Sequence, residues 1–310
     1  MDPFSDLLRG VHGDGAGMSR FTLSSPWSLR FADGVPLTML TVMRGAGWLA
    51  PTDGEPVRLG QWDTAIVRGP QPFHFADEPD SAAKATVSQD VRCRDHCGQG
   101  VARRTAGSAP SDPDGQTVLL IGWYQAHGGR HERLLRALPQ VLTIAESQES
   151  RQIIRVVAES AADQMDAQVV LDRFLDMGLV CTLRTWFDQQ AADAPGWYRG
   201  MTDDVVGPAL AALHAEPARP WTVATLASEA GVSRALLAKR FSQVIGQPPL
   251  SYLTEWRMAL AEELLAEPDA TVAAVARKVG YSDGFAFSTA FKRVRGASPS
   301  DHRAAALAAA

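Results

Sequence analysis

Cysteine is scarce in this 310-residue chain; Cys93, Cys97 and Cys181 are all it has. Three thiols argue against a scaffold stapled by disulfides. Long apolar runs are missing as well. No segment reaches the roughly 18–20 apolar residues of a membrane-spanning helix. The opening MDPFSDLLRG places an acid where a secretory leader would carry basic residues. These two absences predict a cytoplasmic chain with no membrane part. A strong excess of either charge is also lacking. The net charge of −5 belongs to residues 1–202, with 19 Lys+Arg against 24 Asp+Glu, while residues 203–310 carry 11 of each. Any attraction to a polyanion must therefore come from local clusters, not from a basic domain. The length suffices for two domains.

What is present, above all, is a repeat. TVATLASEAGVS begins at Thr222 and TVAAVARKVGYS at Thr271. Thr222, Val223, Ala224, Ala227, Gly231 and Ser233 return 49 residues later as Thr271, Val272, Ala273, Ala276, Gly280 and Ser282. Phe241, Gly246 and Pro249 return at an offset of 50 as Phe291, Gly296 and Pro299. Each copy reads as two short helices around a glycine turn. A threonine caps the first helix and apolar residues at helical spacing supply its inner face. The glycine sits where a helix ends in a left-handed residue. Ser233 and Ser282 are expected to cap the second helices, with Leu237/Phe241 and Phe287/Phe291 turned inward. Between the copies, residues 249–267 read as one long helix, with Leu250, Leu253, Trp256, Leu260, Leu264 and Leu265 on roughly one face, ended by Pro268. This is the grammar of a tandem helix-turn-helix, whose second helix enters the major groove of DNA.

Residues 203–303 resemble the DNA-binding domain of the AraC/XylS family of transcription regulators. The run GYSDGFAFSTAFKRVRGASPSDHR, residues 280–303, carries the likeness most fully: glycine, aromatic, polar cap, a Phe-Ser helix, then Gly-x-x-Pro and a final Arg. The resemblance implies sequence-specific binding to double-stranded promoter DNA, contact with RNA polymerase, a homodimeric form and, by family habit, activation. The outward positions on the first recognition helix are Arg234, Ala235, Leu236, Ala238 and Lys239. On the second they are Asp283, Gly284, Phe285, Ser288, Thr289, Lys292 and Arg293. Leu236 and Phe285 either meet thymine methyls or complete the core. Lys292, Arg293 and Arg295 are expected to hold phosphates rather than read bases. Lys239/Arg240 and Arg277/Lys278 add local basic clusters.

Residues 20–125 change grammar. Short apolar or alternating runs such as LTMLTVMRGAGWLA and QTVLLIGWY are punctuated by Gly, Pro and Asp at the spacing of an all-β barrel. GQWDTAIVRGPQPFHF, residues 60–75, resembles the second half of a cupin motif, and AraC relatives often carry a cupin-like sensor at this end. The two further histidines and the glutamate of a metal-binding cupin have no counterpart in MRGAGWLAPTDGEPV. His74 alone cannot hold a metal; it is a candidate sensing residue alongside Cys93, His96 and Cys97, or else a barrel-rim residue. Trp27, Trp48, Trp62, Phe73 and Phe75 either line a pocket or form core. Cys93, His96 and Cys97 lie within five residues. They are unrelated residues, or a redox switch activated by Arg92 and Arg94, or a zinc site completed by His127 or His131. No cofactor is expected; zinc is the one candidate. Residues 166–190 read as an amphipathic helix with Val169, Leu171, Leu175, Leu179, Leu183 and Trp186 inward, and Cys181 as inert core.

The sequence thus predicts an α+β chain. Residues 1–190 form a cupin-like β-barrel with a helical dimerisation segment, and 191–202 a linker. Residues 203–303 form an all-α domain with two helix-turn-helix motifs, and 304–310 a disordered tail. The expected function is transcription regulation in response to a small molecule or a redox signal at the front domain. The alternative is a cupin-type metal enzyme with a helical appendage, disfavoured by the missing ligands.

Overall fold

A computed structural model describes residues 3–8, 11, 18–32, 34–79, 87–91, 102–106, 116–124, 129–145 and 168–309. The chain divides into two compact units. One comprises Val11–Ala126 and Leu138–Gln189, the other Met1–Gly10, His127–Ala137 and Gln190–Ala310. The chain therefore passes from one unit to the other at four points, not at the single linker expected near 191–202.

The first unit is β-rich. Strands β1 (Met18–Ser24), β3 (Leu37–Arg44), β6 (Thr64–Arg68), β9 (Ala102–Ala106), β10 (Gln116–Tyr124) and β11 (Val141–Ile144) form one sheet in the order β11-β6-β3-β10-β1-β9. Strands β2 (Trp27–Phe31), β4 (Gly47–Pro51), β5 (Val57–Leu59), β7 (Phe73–Ala76) and β8 (Val87–Val91) form a second in the order β5-β4-β7-β2-β8. Trp27, Leu29, Phe31, Phe73 and Phe75 from the second sheet share one core with Leu40, Val42, Leu119, Ile121 and Trp123 from the first. Their alternation along each strand is the period-2 pattern of a sheet with one face inward. Among the described residues the cupin-like part is two sheets sharing a core, compatible with the expected cupin-like fold without a closed ring of strands. Trp27, Phe73 and Phe75 are core, whereas Trp48 and Trp62 are only half-buried.

Strand β3 is buried on both faces. Leu40 and Val42 enter the shared core, and Met39 on the opposite face lies 3.3 Å from where a side chain on Gly178 would begin. Gly178 belongs to a long helix, Gln168–Gln190, which covers the outer face of the six-stranded sheet. The Tyr124 hydroxyl donates to the Leu175 carbonyl at 2.8 Å, so this helix is pinned as well as packed. Among the described residues, Leu175, Leu179, Thr182, Leu183 and Phe187 are buried in it, with Trp186 half-buried. The inward stripe therefore ends on Phe187 rather than Trp186, and the same periodicity turns Cys181 outward. Cys181 is exposed, not core.

The second unit is helical. Its elements are α1 (Pro3–Leu8), α2 (Gly129–Ala137), α4 (Gly196–Arg199), α5 (Val206–Ala215), α6 (Val223–Glu229), α7 (Arg234–Ile245), α8 (Pro249–Ala266), α9 (Val272–Lys278), α10 (Gly284–Arg295) and α11 (Pro299–Ala309), with the long helix of the β unit as α3. Two expectations fail here. The segment 191–202 is not an open tether, because Trp197 and Tyr198 in α4 are buried and the Phe4 ring stacks on Trp197 at 6.5 Å between centroids. Nor is 304–309 a loose tail, since α11 runs to Ala309.

Candidate nucleic-acid interface

The two repeats fold as matched helix pairs. In the first, Thr222 caps α6 by accepting from the Thr225 N–H at 3.1 Å, and the Thr225 hydroxyl reaches back to the Thr222 N–H at 2.9 Å. This reciprocal pair satisfies two otherwise orphaned donors. Gly231 then turns the chain with φ of +66°, and Gly280 does so in the second repeat with φ of +85°. Only glycine takes this conformation without steric cost. Leu226, Ala227, Leu237 and Phe241 are all buried in the first pair, and Val275, Ala276 and Val279 pack with Phe287 and Phe291 inside the second. Buried rings on one face of α7 and α10 fix which side chains point away.

The caps of these two helices differ. Ser233 caps α7, accepting from the Leu236 N–H at 3.2 Å. The expected counterpart, Ser282, does not cap α10. Asp283 does, its carboxylate accepting from Phe285 N–H and Ala286 N–H at 3.1 Å each. The second turn is one residue longer, which is why the repeat offset passes from 49 to 50 between Gly280 and Phe291. In helix register Gly284 therefore matches Arg234, Phe285 matches Ala235, and Thr289 matches Lys239.

Arg234, Ala235, Leu236 and Lys239 all lie exposed on α7. On α10, Gly284, Phe285, Thr289, Lys292 and Arg293 are exposed. Ser288 is half-buried, and its hydroxyl donates back to the Gly284 carbonyl at 2.8 Å. Leu236 and Phe285 are 46% and 80% exposed, which removes the reading that they complete the core.

Two arginines counted among the basic clusters have other employment. Arg240 grips Asp203, Nε to Oδ2 at 2.8 Å. The same carboxylate receives the backbone N–H groups of Val205 and Val206 at 3.0 and 2.9 Å, at the start of α5. Burial alone would raise the Asp203 carboxyl, but the Val206 N–H and the Arg240 guanidinium outweigh it and hold it below the ordinary range. Arg295 pairs with Glu262 of α8 at 2.8 Å, both side chains largely buried. Burial lifts the Glu262 carboxyl above its usual value against the pull of Arg295. Arg295 is therefore a tie between α10 and α8, not an outward phosphate contact. Arg303, the last residue of the signature run, donates to the Pro268 carbonyl at 2.8 Å. Sequence reasoning missed these three ties, because a pairing over 33 to 37 residues leaves no local spacing.

Helix α8 holds the two pairs together, and its burial is not confined to one face. Tyr252, Leu253, Trp256, Met258, Ala259, Ala261, Glu262 and Leu265 are buried, while Leu250 is exposed. Tyr252 meets Phe241 of the first pair edge-on at 5.7 Å. Met258, Ala261 and Leu265 pack with the second. Elements from far upstream add to this spine. Arg130 of α2 forms a two-pronged ion pair with Glu263, with Nε to Oε1 at 2.6 Å. The Arg133 guanidinium lies 4.4 Å over the Tyr252 ring. His214 bridges Asp6 of α1 at 2.9 Å and Tyr252 at 2.8 Å. Burial pushes the His214 imidazole below its ordinary value despite the Asp6 carboxylate, and pushes the Tyr252 hydroxyl up to about 12. The consistent arrangement is a neutral imidazole that donates to Asp6 and accepts from Tyr252.

The sensing candidates Cys93, His96 and Cys97, together with His127, lie outside the described residues. His74 sits half-buried on β7, in register with Arg30 and Ala50. Among the described residues, no group of His, Cys, Asp and Glu is placed to hold a metal, and no helix is long and apolar enough to cross a membrane.

Comparison with known proteins agrees with this layout. A cupin family model matches residues 2–188 and a helix-turn-helix domain model matches residues 226–305. A candidate AraC-like transcription regulator of Streptomyces lividans is 35% identical, with 98% of each chain covered. One from Streptomyces antibioticus is 34% identical over the same share. This chain belongs to the AraC family of transcription regulators. Among solved structures, the DNA-binding domain of AdpA in complex with a target DNA is 32% identical, covering 34% of this chain and 96% of that one with a TM-score of 0.33. In this AraC-family regulator the cupin match spans the β unit together with α1 and α2, and α6 to α10 carry the two helix-turn-helix motifs.

Proposed function

We propose that this regulator binds promoter DNA sequence-specifically as a homodimer, presenting α7 and α10 to successive major-groove segments. Arg234, Ala235, Leu236 and Lys239 face the duplex from α7. Gly284, Phe285, Ser288, Thr289, Lys292 and Arg293 face it from α10. The observation that carries this reading is the pairing of buried rings with an exposed polar face on both helices, joined through one shared spine. Lys239, Lys292 and Arg293 hold phosphates. A small molecule or a redox change at the cupin part shifts how often the unit is competent to bind, and bound protein engages RNA polymerase to activate transcription. It works in the cytoplasm, without a resident cofactor and without catalysis; the regulator relatives support the last point.

The test is selection of bound sequences from random duplex by the full chain, followed by titration at several salt concentrations. A shared motif and a steep inverse salt dependence are expected. Equal binding to every duplex would overturn the proposal.

A further inference from the structure

Phe285 is 80% exposed in the first turn of α10. A ring this exposed, on the face that the proposed function turns toward the duplex, is available to an external partner. Its surroundings restrict what that partner is. The N–H groups of Phe285 and Ala286 are already bound to Asp283, and the Ser288 hydroxyl to the Gly284 carbonyl. This end of the helix therefore presents an apolar ring beside a carboxylate that repels phosphate. One turn and two turns further along the same face come Thr289, then Lys292 and Arg293, all exposed. That order, apolar tip then cations, suits a helix whose start reaches base edges while its end lies along the backbone. Gly284 fits the same picture. A side chain there would meet no atom within 4 Å, so the fold has no need of glycine, whereas a close external surface does. The major groove displays one apolar group, the 5-methyl of thymine.

We propose that Phe285 selects a thymine by contact with its 5-methyl group. The first repeat places Ala235 at the matching position, flanked by Arg234 and Lys239, donors suited to guanine edges and phosphates. The aromatic contact thus belongs to α10 alone, while α7 presents the smaller apolar side chain of Leu236 beside Arg234 and Lys239. This inference rests on the proposed placement of α10 in the groove.

The experiment uses the full chain and its selected duplex. Each thymine in the footprint is replaced in turn by deoxyuridine, which removes only the methyl. Loss at one or two adjacent positions of about three- to tenfold is expected for wild type. Phe285→Ala should bind more weakly and be indifferent at those positions, with an unchanged melting temperature. Phe285→Leu should keep part of the discrimination. Wild-type affinity that is flat to every deoxyuridine overturns the inference while leaving selective DNA binding intact. So does a Phe285→Ala protein that remains as sensitive as wild type. A chain with no preferred duplex overturns both this and the reading beneath it.

Discussion

Asp6 and His214 are hydrogen-bonded at 2.9 Å across 208 residues of chain. The contact is buried, and His214 passes it on to Tyr252 at the start of the spine helix. The first turn of the chain and the middle of the helix-turn-helix unit are therefore one packed structure, and its stability should respond to acid.

The direction follows from His214. Its folded value lies below the ordinary 6.5 because it is buried. Between those two values the unfolded chain binds a proton that the folded chain refuses. Stability is thus fully present above about pH 6.5 and falls as the pH drops toward the folded value, by at most about 1.4 kcal/mol per pH unit. Denaturant curves for wild type and His214→Gln at pH 7.5, 6.5 and 5.5 test this. The variant should start lower by about 1–3 kcal/mol and lose less on acidification. Parallel loss in the two proteins would exclude His214 as the source.

Phe4 is fully buried against Trp197 and Tyr198. Phe4→Ala should cost about 3 kcal/mol, as read by chemical unfolding followed through Trp fluorescence. A change below about 0.5 kcal/mol would mean that α1 is not part of this unit in solution.

Arg295 and Lys292 sit three residues apart on one helix yet should behave oppositely. Arg295→Ala leaves the Glu262 carboxylate buried without its partner and should destabilise the fold by about 3 kcal/mol, with little change in the salt dependence of binding. Lys292→Ala should leave melting unaltered and reduce the slope of log affinity against log salt by about 1. Interchanged results would return Arg295 to the phosphate-binding role first expected of it.

The cap of α10 is a further discriminator. Asp283→Ala removes the acceptor for two backbone N–H groups and should cost about 1 kcal/mol. Ser282→Ala should be near neutral. Thermal melts of the two variants suffice, and equal effects would contradict the capping geometry.

Much of the helical unit could be read from one sequence because its signals are local. Gly231 and Gly280 stand where the backbone turns left-handed, Thr222 and Thr271 where donors need caps, and Phe241 and Phe291 one helix apart from them. The cupin part was legible more coarsely: alternation revealed strands such as Phe73–Ala76, but not that the strands form two sheets instead of a ring. Trp197 and Tyr198 were hidden by flanking Pro, Gly and Ala, a composition that describes linkers and tight packing equally well. The apolar residues around Cys181 suggest burial, whereas helical phase turns it outward. The repeat offset of 49 points to Ser282 as the cap, but the longer second turn hands that role to Asp283. The ties of Arg240, Arg295 and Asp6 are encoded nowhere in local spacing.

Because α1 and α2 contribute Phe4, Asp6, Arg130 and Arg133 to a unit otherwise built from residues 190–310, that unit cannot be cut out with one pair of scissors. A chimera that grafts the last third of this chain onto a foreign receptor inherits an unmatched Tyr252, Glu263 and His214. Successful transplants will have to carry both upstream helices with them, or replace their four side chains in the host.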